Sequence, residues 1–212
     1  MSELLKDMSV EQFIAVTESD APAPGGGSVS ALVGALGAAL TAMVAGLTIG
    51  KKKYADAEAE MKEIAAKAAE IRKELVEAID KDSSSFNEFM AAMGMPKDTD
   101  EQKAARTAAM QSGLKSAAQV PYSVAETAAK IFPLAKAVIE RGNTNAVTDG
   151  LVAAMAARTA VIGAGLNVKI NLGSIKDEAF VAEYTAKVKK LDDEAVKLEK
   201  EIFALSELTD QL

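Results

Sequence analysis

The sequence contains no cysteine and no histidine. Without Cys, disulfides, thiolate metal sites and cysteine nucleophiles are excluded. Without His, the commonest general base and the commonest transition-metal ligand are missing, so proton transfer would fall to Asp, Glu, Lys, Tyr or water. Aromatics are scarce as well: 4% of 212 residues, against 49% hydrophobic, with Ala supplying much of that share. Low aromatic content with abundant Ala, Leu, Lys and Glu is a helical composition. The net charge of −7 removes any general attraction to nucleic acid or anionic lipid, so an anionic ligand has to be met by a local cluster of Lys or Arg. The N-terminal stretch "MSELLKDMSVEQF" is acidic and lacks a signal-peptide core, which makes a cytoplasmic location the expectation.

The length suits one domain, taken as residues 1–212. Its punctuation separates helices rather than domains. Ser9 with Gln12 forms a capping box, with Met8 and Phe13 placed for a hydrophobic staple, and opens a short helix to about Glu18. An uncharged helix is expected from about Ser28 to Ile49, and a long amphipathic one from about Tyr54 to Met93. Thr99 with Gln102 caps a helix running to the region of Pro121. The next reaches Arg141 with Gly142 at its end and a kink at Pro133. A small-residue helix spans about Ala146 to Asn167, and a last one from about Asp177 repeats apolar residues at bundle spacing. "NVKINL" alternates but has no partner strand. The expected fold is an all-α, up-and-down helical bundle with a long, apolar, Ala/Gly-rich central helix.

The stretch "APAPGGGSVSALVGALGAAL" poses the first functional question. No Lys closes a Walker A loop, and Ser30 occupies the third glycine position of a dinucleotide fingerprint with no strand before it. From Ala21 to Gly50 no residue is charged, which is long enough to span a bilayer. The dominance of Ala, Gly, Ser and Thr, and the lack of an aromatic belt ahead of it, favour a buried helix instead. Three glycines before a helix N-terminus can bind an anion or carbonyl through free N–H groups, or can simply let a tight loop pack.

A carboxylate interrupts the long helix's apolar ridge. Ile64, Ala68, Ile71, Leu75, Ile79, Asp82, Phe86, Phe89 and Met93 follow each other at steps of three or four, so Asp82 faces the core. Asp80 lies about 200° around the helix from it and faces elsewhere. A carboxylate there is either ion-paired with a Lys of a neighbouring helix or is a group whose raised pKa suits proton transfer. Asp149, Ala153, Ala156, Ala160, Gly163 and Asn167 form a smooth face with polar ends, suited to a flat ligand or to another helix. Asn143 can belong to a helix cap, and Asn171 can simply terminate "INL". Lys51, Lys52 and Lys53 are either a solvated helix start or a site for an anionic tail.

Together, "PAPGGGSVSAL", "GKKKY", "DKDSSSF", "MPKDTDEQKAAR" and "GNTNAVTD…GAGLNVKINL" resemble the cyclodeaminase domain of formiminotransferase-cyclodeaminase and the free-standing methenyltetrahydrofolate cyclohydrolases related to it. The resemblance runs in order from about Ser9 to the final helix, with no transferase portion. It implies an all-helical, homodimeric folate enzyme, with no metal and no cofactor beyond the tetrahydrofolate substrate. It also implies that Gly25, Gly26, Gly27 and Ser28 line the folate site. Asp82 is implied as the acid/base, with Asp80 in the same motif. Asn143, Asp149, Asn167 and Asn171 become candidates for holding the pterin, and Lys51, Lys52 and Lys53 for the glutamate tail.

The implied reaction is hydrolysis of 5,10-methenyltetrahydrofolate to 10-formyltetrahydrofolate. Its bridging carbon is an amidinium, electrophilic without further polarisation, so one carboxylate can take a proton from the attacking water and return one to a ring nitrogen. The alternatives are the related cyclodeaminase reaction, which releases ammonia, and a non-catalytic helical scaffold.

Overall fold

The computed structural model describes residues 4–210, in which every regular element is helical. The principal helices are α1 (Val10–Glu18), α2 (Gly26–Thr48), α3 (Glu58–Met93), α4 (Asp100–Ala129), α5 (Ile131–Arg141), α6 (Val147–Leu172) and α7 (Glu178–Phe203). Short 3-10 turns fill the joints, including residues 52–57 ahead of α3. The first three residues of the acidic N-terminal stretch lie outside the described part.

Both capping boxes form. Gln12 N–H donates to Ser9 Oγ while Ser9 N–H donates to Gln12 Oε1, and Thr99 and Gln102 repeat the exchange at α4. Each box satisfies donors that a helix start otherwise leaves bare.

Two boundaries differ from expectation. The α4 helix runs through Pro121 to Ala129, and the break comes at Lys130, at the entrance to α5, with Pro133 in its first turn rather than at a kink inside it. Pro133 cannot donate to the Ala129 carbonyl and its ring crowds it, which ends α4 there. Pro121 leaves the Ala117 carbonyl equally bare, but Asn171 Nδ2 donates to it at 2.9 Å from α6. "NVKINL", far from being a strand, forms the last turns of α6.

The centre of the bundle is α2, packed most extensively against α3 and α6. Its glycines set the spacing. A Cβ at Gly34 would lie 3.1 Å from both Ala160 and Leu75 side-chain carbons, and one at Gly37 would lie 3.1 Å from Ala156 Cβ. Ascending residues of α2 meet descending residues of α6 (Gly34 by Ala160, Gly37 by Ala156), so this pair is antiparallel. Ala153, Ala157, Ala160 and Ala164 are fully buried along the seam, joined by Leu75 and Phe132 in the main core.

The expectation that α2 is buried holds for only half of it. Both α2 and the stretch Thr144–Leu172 are long and apolar enough to cross a membrane, and in each about 50% of the apolar window is buried. The exposed remainder is itself apolar: Leu36, Met43 and Leu47 on α2, and Val152, Met155, Leu166 and Ile170 on α6. Each stripe sits about 100° around its helix from the α2/α6 seam, with the same rotational sense. Because the helices are antiparallel, the same sense brings both stripes to one side. The other helices of the chain cover α2 on one side only, so although it is the most extensively packed helix, α2 together with α6 presents one apolar face to solvent.

Candidate active site

Asp82 is delivered by α3 to the N-terminus of α2. Its Oδ2 lies 3.0 Å from the Ser28 Oγ, which is also 3.0 Å from the Ile79 carbonyl and 3.2 Å from Ser83 Oγ. The single Ser28 proton therefore goes to one acceptor at a time, and the Ser83 hydroxyl can donate in turn to Ser28 Oγ. Removal from water pushes the Asp82 pKa up, outweighing hydrogen bonds from the Ser28 hydroxyl and backbone N–H that favour the anion. Among the described residues no Lys or Arg pairs with Asp82, so it is not the structural half of an ion pair.

The glycine triplet exists for this approach. Gly25 is the N-cap of α2, with Gly26 and Gly27 in its first turn. A Cβ at Gly27 would lie 2.5 Å from Asp82 Cγ and 2.6 Å from Oδ2, and one at Gly26 would lie 2.9 Å from Asn167 Nδ2. Gly27 is thus the position where only a hydrogen leaves room for the carboxylate. The helix start also presents free N–H groups and a partial positive charge toward the same point.

Around Asp82 opens a cavity of about 160 Å³, lined by Pro22, Gly25, Gly27, Asp82, Ser83, Ser85, Phe86, Asn167 and Asn171 among others. Asn167 Nδ2 donates to the Gly163 carbonyl, and Asn171 Nδ2 donates to the carbonyls of Ala117 and Asn167. Asn171 is therefore tied into α4 and α6 while still lining the cavity. Asp80 faces away, as its place on the helix requires. Its Oδ1 accepts the Leu5 N–H at 2.8 Å and anchors the N-terminal segment, and its Oδ2 is buried without a partner among the described residues.

A glycine-started helix carrying a half-buried carboxylate from its neighbour is the arrangement the sequence motifs imply. The family model described as formiminotransferase-cyclodeaminase matches residues 9–190. The chain belongs to the formiminotransferase-cyclodeaminase family. It is 40% identical over 195 residues to a methenyltetrahydrofolate cyclohydrolase of Methylorubrum extorquens, covering 92% of this chain and 94% of that protein. It is 38% identical over 183 residues to the formimidoyltransferase-cyclodeaminase of Sus scrofa, covering 86% of this chain but only 34% of that one. The crystal structure of a formiminotetrahydrofolate cyclodeaminase from Thermotoga maritima superposes with a TM-score of 0.84 at 29% identity, covering 95% of this chain and 96% of the other.

In this member of the formiminotransferase-cyclodeaminase family, the other motif residues do not join Asp82 within the chain. Lys51, Lys52 and Lys53 follow the C-terminus of α2, roughly 35 Å from its N-terminus at 1.5 Å per residue. Asn143 is there too. Its N–H donates to Thr48 Oγ1 at 2.8 Å, its Nδ2 donates to the Leu47 carbonyl at 3.2 Å, and it closes the end of α2. Asp149 lies in the first turn of α6, at that same end. The antiparallel α2/α6 packing separates what the motif order suggested was one site into two ends: Gly25–Ser28, Asp82, Asn167 and Asn171 at one, Lys51–Lys53, Asn143 and Asp149 at the other.

The sequence reading also left residues out. Ser83 and Ser85 line the cavity beside Asp82, and both lie in the quoted "DKDSSSF", where a Ser one residue and three residues past a core-facing Asp was the available signal. Tyr54 and Thr144 were missed at the other end, where Tyr54 Oη and Thr144 Oγ1 lie 3.1 Å apart beside Lys53. "GKKKY" and "GNTN" contain them, but nothing in either motif says that they meet.

Proposed function

We propose that this chain hydrolyses 5,10-methenyltetrahydrofolate to 10-formyltetrahydrofolate, with Asp82 as the acid/base. The observation that carries the reading is the Asp82 carboxylate itself: desolvated, without a cation beside it, and open to a cavity at a helix N-terminus. The ionised carboxylate attracts the cationic amidinium and takes a proton from water as the oxygen attacks the bridging carbon. The same proton is then delivered to N5 as the C–N5 bond breaks, while the second water proton leaves as the formyl carbonyl forms on N10. A pKa above the ordinary aspartate range favours both transfers near neutral pH. Gly25–Ser28, Asn167 and Asn171 border the substrate's reacting end in this reading, and Asp80 holds the N-terminal segment.

The relative whose name gives this activity is 40% identical over 94% of its length, against 29% identity to the equally well covered Thermotoga maritima cyclodeaminase, which supports hydrolysis over ammonia release. The test offers purified protein 5,10-methenyltetrahydrofolate and, separately, 5-formiminotetrahydrofolate, and follows the methenyl chromophore against enzyme-free controls. Loss of chromophore above the spontaneous rate supports the proposal. Gain of chromophore with ammonia release from the formimino compound moves the assignment to cyclodeaminase.

A homodimer belongs to the same reading. The two apolar stripes on α2 and α6 form one contiguous exposed face, and a second copy burying it removes from water the largest apolar surface that these helices present.

A further inference from the structure

Ser28 is fully buried, and its hydroxyl lies among three oxygens: the Ile79 carbonyl and Asp82 Oδ2, each at 3.0 Å, and Ser83 Oγ at 3.2 Å. A serine hydroxyl has one proton to give and two lone pairs that accept. The Ser28 proton already has two strong acceptors, a carboxylate and a carbonyl. What the buried oxygen lacks is a donor of its own, and bulk water does not reach it. While Asp82 is ionised, Ser83 is the one group among the described residues placed to donate to it. The Ser83 hydroxyl borders the cavity and makes no other hydrogen bond among the described residues.

No ion pair competes for control of the carboxylate. Lys6, Lys115 and Lys169 stand at this end of the bundle, but they pair with Glu77, Asp177 and Asp192. Lys81 lines the groove between α3 and α4 with Glu77, Asp80 and Glu88. Asp20, ahead of α2, is exposed, and α2 itself carries no charge. The α4 and α6 helices face the cavity with Ala117, Asn167 and Asn171.

We infer that Ser28 and Ser83 form a hydroxyl switch that follows the charge of Asp82, with Ser83 a positioning residue acting through Ser28. This deepens the proposed function and rests on it for the part Asp82 plays in turnover. With Asp82 ionised, Ser83 donates to Ser28 and Ser28 donates to Oδ2, so two hydroxyl dipoles in line favour the anion. When Asp82 takes a proton, its pull on the Ser28 proton weakens and the Ser28 hydroxyl turns to the Ile79 carbonyl. Ser28 therefore keeps a hydrogen bond in both states, and neither state leaves a buried hydroxyl bare. Each serine keeps its own proton and only the O–H directions change. The proton taken from water stays on Asp82 until N5 receives it.

The test reads the titration of Asp82 directly, by NMR of protein labelled at the aspartate carboxyl carbons. The Asp82 signal is the one lost in Asp82→Asn. Its midpoint is followed in Ser28→Ala, Ser83→Ala, Ser83→Thr and the double alanine variant. Ser28→Ala moves the midpoint to higher pH, because the anion loses the hydrogen bond from the hydroxyl. Ser83→Ala moves it the same way by less, and Ser83→Thr restores it. The double variant matches Ser28→Ala alone, because Ser83 acts only through Ser28. The pH limb of kcat/KM shifts in parallel, whereas serines that merely support the fold would change the melting temperature and leave both midpoints in place.

A midpoint that falls or stays put in Ser83→Ala makes Ser83 an acceptor or a bystander and overturns the inference. A double variant whose shift is the sum of the two single shifts overturns it as well. Wild-type protein that turns over neither folate yet shows the expected titration pattern defeats the proposed function and leaves the switch standing. Turnover with unmoved midpoints does the reverse.

Discussion

Replacing Gly27 by Ala should disable the enzyme while leaving it folded. The added Cβ would stand 2.5 Å from Asp82 Cγ and 2.6 Å from Oδ2, where ordinary carbon contact begins near 3.5 Å. The carboxylate must therefore move by about 1 Å, because Gly27 lies in a helix packed along its length against α3 and α6 and cannot retreat easily. A displacement of about 1 Å in a catalytic group costs on the order of 100-fold in rate, or about 2.7 kcal/mol of activation free energy. The loss should fall on kcat rather than KM, since the group that moves acts on the reacting carbon. Ala is the better helix former by about 1 kcal/mol, which offsets part of the strain in the folded state. The assay is methenyl chromophore loss at saturating substrate, with circular dichroism and a melting curve on the same sample. Gly173→Ala, whose added Cβ meets nothing nearer than 3.5 Å, controls for glycine replacement at a helix end. A folded Gly27→Ala protein with wild-type kcat would refute the reasoning, because catalysis would then not depend on where the Asp82 carboxylate sits.

Asp82→Asn should remove most turnover, about 100-fold or more, and at the same time raise the melting temperature near neutral pH. Burial raises the folded-state pKa of Asp82 above its ordinary value of 3.8, so its ionisation costs stability as pH rises through the folded pKa, and the cost is absent below the unfolded one. The stability gap between variant and wild type should therefore be widest near neutrality and close in acid; a gap that widens in acid would reverse the assigned direction. By the same shift, kcat/KM should rise with pH through a limb centred above 3.8, and Asp82→Asn should erase that limb from the profile. Asp80→Asn should lose far less turnover than Asp82→Asn, since Asp80 anchors the Leu5 N–H; a larger loss than at Asp82 would exchange their roles. Asn171→Ala should cost about 1–3 kcal/mol by baring the Ala117 carbonyl, and less in a Pro121→Ala background, where residue 121 can donate to that carbonyl itself. Equal costs in the two backgrounds, read by denaturant unfolding, would show that Asn171 does not compensate for the proline.

Local chemistry fixed the helix starts: Ser9 with Gln12 and Thr99 with Gln102 needed only residues three apart, so both boxes were legible in the sequence. Helical periodicity likewise separated Asp82 from Asp80, because two residues on one helix differ in direction whatever surrounds them. Periodicity says which way a side chain points and nothing about what it meets. That Asp82 meets Gly27 and Ser28 rather than a lysine was decided by the packing of α3 against α2. That Pro121 could stay inside α4 depended on Asn171, 50 residues further on in a different helix. The family motifs told which residues belong to the function, but chain order could not tell that α2 and α6 run antiparallel and carry Lys51–Lys53 and Asn143 away from Asp82. An uncharged stretch reads the same whether it is enclosed or left at an edge, and only the tertiary structure placed half of α2 at the surface, because its apolar residues surround the helix while the chain's own helices cover one side.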